Sequence, residues 1–184
     1  MKKEVHVALD WKFIEWLPDE KWMKDTLPKL IEADIDPRQI HRSVYVIRLH
    51  GEFAIDYPNG ESPTVYIGEG NFSSRIKSHR SWVSEIRELV GQLSFQVGIV
   101  TPRVANNPEA YLDTEAALLD RFAEKFHTAP LWNKQYETRR CQHYSYSQQQ
   151  MDYAICKRSG AKYKWAIRPM KSSPFHASYL KTHI

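Results

Sequence analysis

Two residues four apart, Arg75 and His79, carry the first hint of chemistry. Four positions make about one helical turn, so on a helix the two stack on one face. An arginine is a permanently charged fork for anionic oxygens, and a histidine titrates near neutrality. Tyr66 stands shortly before them, in Thr64-Val65-Tyr66-Ile67, a β-branched and aromatic run suited to a strand. Gly68 and Gly70 break that strand, and Asn71, Ser73 and Ser74 offer caps for a following helix. A glycine turn then brings a phenol on a strand end close to a helix face with a cation and a titratable ring. That grouping suits an anionic site. The same residues also describe an ordinary strand, turn and helix with Arg75 and His79 in solvent.

A carboxylate joins the candidates further on. Leu118, Leu119, Phe122 and Phe126 follow Glu115 at +3, +4, +7 and +11, which puts the carboxylate in line with an apolar helix stripe. With Asp113 or Thr114 as the cap, Glu115 falls in the first turn of a helix predicted to run to about His127. There it either complements the helix dipole or, pointing inward at the edge of a core, ligates a hard divalent cation. Asn133 comes after Pro130-Leu131-Trp132 and reads as a turn or cap. Cys141, His143 and Cys156 resemble part of a metal pattern but lack a fourth ligand at a usual spacing.

The elements that must position these residues follow from patterning. Ser43 to Leu49 (SVYVIRL) predicts a strand, with Val44 and Val46 on one face and Tyr45, Ile47 and Leu49 on the other. Pro58-Asn59-Gly60 predicts a turn, so this strand and the Thr64 strand read as an antiparallel pair that sets Tyr45 beside Tyr66. A helix is expected from Ser73 to about Leu89, stopped by Gly91, then a strand from Leu93 to Thr101. Residues 1–42 read as helical, from Trp11, Ile14 and Glu15 and then Trp22, Leu27, Leu30 and Ile31, cut by Pro18 and Pro28. His41 and Arg42 precede the first strand and are either solvated or substrate-facing.

Taken in order, these features resemble the GIY-YIG nuclease family. Ser43-Val44-Tyr45 matches the first tripeptide with Ser for Gly and Val for Ile, and Tyr66-Ile67-Gly68 matches the second unchanged. Arg75 matches the family's helix arginine and His79 the position four later. Glu115 matches the metal-binding glutamate, and Asn133 the asparagine near the module's end. The resemblance covers about residues 43–135. It departs at Ser43 and in the length of the segment from Val46 to Val65, which an enlarged hairpin would absorb.

The resemblance implies an α+β fold, a three-stranded antiparallel sheet flanked by helices over 43–136, with N-terminal helices over 1–42 and a C-terminal extension over 137–184. It implies a metal-dependent endonuclease hydrolysing DNA phosphodiesters. Mg²⁺ or Mn²⁺ on Glu115 would supply Lewis-acid charge, and Arg75 would clamp the phosphate. Tyr45 is the first candidate for general base, with Tyr66 and His79 placing or receiving the proton; the choice between Tyr45 and His79 stays open. A tyrosine base needs nearby cations to lower its pKa. Asn133 is expected to orient a neighbour.

Charge adds a partner class. Residues 137–184 hold nine Lys/Arg against two Asp/Glu, a net +7, within a chain of net +4. Aromatics are interleaved with these cations, so Lys157, Arg158, Lys162 and Lys164 are expected to contact nucleic-acid phosphates. DNA is the expected partner and RNA is not excluded; monomer and homodimer are both open. A non-catalytic nucleic-acid-binding module on the same scaffold is the alternative, which loss of Arg75 or Glu115 would have favoured. The absence of a long apolar run predicts no membrane span. With no apolar segment after Lys2 and Lys3, and only two cysteines, a chain without a signal peptide in the reducing cytoplasm is expected.

Overall fold

A computed structural model describes residues 4–50, 53–90, 94–134, 138–141, 143–156 and 163–165. The chain is α+β. Its strands are β1 (Val5–Val7), β2 (Lys12–Trp16), β3 (Ser43–Leu49), β4 (Phe53–Tyr57), β5 (Gly60–Ser62), β6 (Thr64–Gly70), β7 (Phe95–Val100), β8 (Tyr144–Tyr146) and β9 (Tyr163–Trp165). Its helices are α1 (Leu27–Glu32), α2 (Phe72–Val90), α3 (Ala110–Phe126) and α4 (Gln148–Ile155). A π-helical turn, Trp22–Thr26, leads into α1, and a 3₁₀ turn, Ile40–Arg42, leads into β3. Among the described residues no helix is long and apolar enough to cross a membrane.

The main sheet has four strands in the order β2-β7-β3-β6, every pair antiparallel. This corrects the expected three strands and the helical reading of residues 1–42. Lys12–Trp16 is an edge strand on β7, with Ile14 and Trp16 buried and Glu15 exposed. Five residues are too few for periodicity to separate a strand from a helix, so partner hydrogen bonds decided the outcome. Farther along, the helical reading holds for Leu27–Glu32.

β3 lies between β6 and β7, and all seven of its residues are buried. Burial on both faces is why it is nearly continuously apolar. The β3–β6 pair forms as expected, but the chain between them builds its own hairpin, β4–β5, around Pro58 and Asn59. It branches off where the β3–β6 register slips between Ile47 and Arg48. The lengthened segment is thus accommodated at the end of the pair away from Tyr45.

The two faces of the sheet are covered differently. On the Tyr45 face, Phe72 of α2 meets the Tyr45 ring edge-on at 5.5 Å. On the other face, α4 is pinned by Arg48, a side chain only 3 % exposed. Arg48 donates to the carbonyls of Tyr153 (3.1 Å), Ala154 (3.0 Å) and Cys156 (3.1 Å). Ser62 and Thr64 hydroxyls donate to the Ile155 carbonyl. A helix C-terminus presents unsatisfied carbonyls and partial negative charge; here a buried cation and two hydroxyls satisfy them. Arg121 of α3 pairs with Asp152 at 2.9 Å, tying α3 to α4.

Candidate active site

β6 delivers Tyr66 and Gly68 to the same face on which β3 delivers Tyr45 and Ile47, because Tyr45 lies opposite Gly68 and Ile47 opposite Tyr66. The two phenol rings are therefore diagonal neighbours with centroids 6.0 Å apart. They lean over Gly68. A Cβ there would sit 2.5 Å from Tyr66 Cε1 and 2.8 Å from the Tyr45 hydroxyl oxygen. Gly68 is thus required by space between the tyrosines.

α2 begins two residues past β6, so its second turn passes directly over these rings. His79 lies between them, 4.5 Å from the Tyr66 ring and 5.8 Å from that of Tyr45. It is 7 % exposed. Its Nε2 is 2.9 Å from the Tyr45 hydroxyl. Its Nδ1 accepts the indole N–H of Trp82 at 3.0 Å. An indole nitrogen only donates, so Nδ1 carries no proton; in the neutral ring the proton then sits on Nε2 and is given to Tyr45. Burial, followed by the positive charge of Arg75, pushes the His79 pKa down to about 4. The ring is therefore neutral at pH 7, in a single tautomer.

Both phenols are held above the ordinary tyrosine range. For Tyr45 the cause is burial, then Tyr66, while Arg75 acts in the opposite direction. For Tyr66 it is burial, again opposed by Arg75. Desolvation thus outweighs Arg75, one of the two cations expected to lower a tyrosine's pKa, and both phenols are protonated at pH 7.

Arg75 is exposed, and its guanidinium reaches the Tyr66 hydroxyl at 3.5 Å. Glu115 is 5 % exposed. Its negative charge is felt at both phenols, where it raises their pKa values. It sits in the second turn of α3, because the helix starts at Ala110, five residues earlier than expected. That corrects its reading as a first-turn dipole partner. Asp113, read as a cap, accepts instead from the backbone N–H groups of Arg140 and Cys141.

Asn133 does no chemistry of its own in this arrangement. Its amide oxygen accepts from Ile67 N–H at 2.9 Å, and its amide nitrogen donates to the Ile67 carbonyl at 2.7 Å. Trp132 N–H adds a bond to the Val65 carbonyl at 3.0 Å. Together they satisfy the outer edge of β6 and hold Tyr66, between those two positions, in place.

Trp82 was not singled out from the sequence. The usable signal was its spacing, three residues after His79 and so on the same helix face. It also stacks on Trp132, with centroids 5.1 Å apart and planes 19° from parallel.

Among the described residues no three His, Cys, Asp or Glu side chains are grouped to hold a metal ion. That covers the Cys141, His143 and Cys156 pattern. Glu115 would therefore offer a single hard-oxygen ligand. This donor set fits Mg²⁺ or Mn²⁺ carried mainly by water and substrate oxygens, and does not fit a zinc ion caged by protein. Lys157, Arg158 and Lys162 lie outside the described residues, as does Gly91. Lys164 is on β9, the edge strand that pairs parallel with β4, opposite Ala54, in the mixed three-stranded sheet β5-β4-β9.

Comparison of the chain with known family models, curated proteins and solved structures gave no match.

Proposed function

We propose that this chain is a metal-dependent endonuclease of the GIY-YIG type that hydrolyses DNA phosphodiester bonds. The observation that carries the reading is the convergence of Tyr45, Tyr66 and His79 in mutual contact, with Arg75 at the Tyr66 hydroxyl and the charge of Glu115 felt at both phenols. A phosphodiesterase needs a cation for the phosphoryl oxygens, a group to manage the proton of the attacking water and a hard ligand for a metal.

Arg75 is the exposed cation and takes the scissile phosphate. Tyr45 would manage the proton where a metal ion on Glu115 joins Arg75 in offsetting its burial. His79 already gives its Nε2 proton to the Tyr45 oxygen, so the phenol's own proton is directed elsewhere, and a phenolate formed there keeps a hydrogen-bond donor. His79 cannot serve as the base without adding a proton to Nδ1, against the Trp82 N–H. It is a positioning residue. Arg75 acts on both phenols, and Asn133 holds Tyr66. Glu115 would hold Mg²⁺ or Mn²⁺, which supplies Lewis-acid charge at the phosphate when bound.

The test is cleavage of supercoiled plasmid with and without Mg²⁺ by wild type, Glu115→Ala and Arg75→Ala. Metal-dependent nicking or linearisation by wild type alone is expected. A wild type that cuts neither plasmid, linear duplex, single strand nor RNA while still binding them would leave a non-catalytic nucleic-acid-binding module.

A further inference from the structure

A second feature lies at the same end of the sheet. A cleft of about 320 Å³ opens between the 3₁₀ turn Ile40–Arg42 and the loop that follows β7. His41, Arg42 and Arg103 line it, with Thr101 and Asn107, and none of its described lining residues is acidic. All three cationic or titratable residues are exposed. The neighbouring cavity across Gln39 is acidic on balance, lined by Asp10, Asp34 and Asp36 together with Lys12, which pairs with Asp10. An anionic chain passing this surface is thus attracted to one side of Gln39 and repelled from the other.

The cleft is built into the candidate active site. Arg42 precedes β3 directly, three residues before Tyr45, which at about 3.3 Å per residue is roughly 10 Å. The turn contacts both α2 and β6. Ser43, fully buried, has its hydroxyl 2.9 Å from the Ile40 carbonyl and 3.1 Å from the Gly70 carbonyl. The serine that stands where the resemblance calls for glycine therefore ties the Arg42 turn to the end of β6.

The opposite wall is equally preformed. Asn107 N–H closes a turn on the Val104 carbonyl at 3.1 Å, and its side chain donates to the Tyr144 hydroxyl at 2.6 Å. Arg103 lies within a braced loop and bonds Gln39 across the cleft. His41 Nδ1 is 2.9 Å from the Arg38 carbonyl. A carbonyl only accepts, so Nδ1 carries the proton.

We infer that this cleft is a backbone-phosphate subsite, where Arg42 and Arg103 hold a phosphodiester of the same substrate strand that Arg75 engages. The inference rests on the nuclease reading for the identity of the strand. The subsite adds affinity and strand direction without reading sequence, as phosphate contacts do.

The test is binding of a fluorescent 20-base-pair DNA duplex, and an RNA duplex of the same sequence, in EDTA across a range of salt. Wild type is compared with Arg42→Gln/Arg103→Gln and with the charge reversal Arg103→Glu. Each lost phosphate contact reduces the slope of log affinity against log salt by about 0.9, so the double variant should lose about 1.8 and Arg103→Glu at least half of that. Thermal midpoints should not move, because both side chains are exposed. Equal slopes for wild type and double variant would overturn the subsite, as would a wild type that binds neither duplex. Failure of the nuclease reading looks different: no cleavage with Mg²⁺, yet the slope difference retained. A difference on RNA alone would make RNA the strand that occupies the subsite.

Discussion

Gly68→Ala should act as a wedge in the candidate site. The added methyl would lie 2.5 Å from Tyr66 Cε1, 2.8 Å from the Tyr45 hydroxyl oxygen and 2.9 Å from Tyr45 Cζ. Ordinary carbon contacts begin near 3.5 Å, so the Tyr66 ring must give by about 1 Å and the Tyr45 ring by about 0.6 Å. Tyr66 is half-buried and has some room. Tyr45 is fully buried among Phe72, Tyr66 and His79 and has little. Moving its hydroxyl by that amount takes the 2.9 Å bond to His79 out to about 3.5 Å, where little of it survives. Overpacking costs about 1–3 kcal/mol and the lost bond about 1 kcal/mol. A total of about 2–4 kcal/mol corresponds to roughly 4–16 °C in the unfolding midpoint at this chain length.

Urea and thermal unfolding measure that loss, and imidazole nitrogen chemical shifts report the His79 bond. Gly70→Ala is the control. Nothing stands within 4 Å of its added methyl, but its φ of +96° strains any side chain. It should destabilise by about 1–2 kcal/mol and leave the His79 signals unchanged. Gly68→Ala within about 0.5 kcal/mol of wild type (the range of an unremarkable surface change), with unaltered His79 shifts, would refute the wedge argument.

Further outcomes follow from the same contacts. Trp82→Phe removes the donor to His79 Nδ1, so the ring should populate both tautomers; imidazole nitrogen chemical shifts check this, and an unchanged single tautomer would mean that Trp82 does not set it. Burial and then Arg75 hold the His79 pKa down at about 4. Because folding depresses that pKa, the native state binds fewer protons than the unfolded chain between the two values. The His79 contribution is therefore complete above about pH 6.5 and is lost as pH falls toward 4, by roughly 3 kcal/mol. His79→Gln should flatten this part of the stability profile, measured by urea unfolding at pH 7.0 and 4.5. Arg48→Ala leaves the carbonyls of Tyr153, Ala154 and Cys156 without their buried donor, and should cost about 3–5 kcal/mol. Hydrogen exchange should then show α4 opening first, whereas uniform loss of protection would argue that α4 is not a separate unit.

The legible part of this protein is the part where chemistry and pattern coincide locally. β3, β6, α2 and β7 were readable from their own periodicity, but β6 runs on through Gly68 and Gly70, which read as its break, because both glycines keep their pairing with β3. Tyr45, Tyr66, Arg75 and His79 could be grouped because register across one antiparallel pair and one helix turn placed them. The pairing of Tyr45 with Tyr66 followed from alternation alone. β2 was not readable, since a five-residue edge strand is defined by what it pairs with. The start of α3 was missed by five residues, because Asp113 looks like a cap and serves instead as an acceptor for residues near 140.

The sequence by itself thus determined most of the candidate site's composition, Tyr45, Tyr66, Arg75, His79 and Glu115 on their strands and helices, while Trp82 and the role of Gly68 as the space between the tyrosines came from the structure. Tertiary structure alone decided their states. Burial raised both phenols and lowered the imidazole, and Trp82 chose the tautomer of His79. It also turned Ser43 from a departure in a motif into the tie between β6 and the Arg42 turn. The physical reason is common to all of these. Desolvation and hydrogen-bond direction depend on what surrounds a group in three dimensions, and residue order specifies that surrounding only through the folded chain.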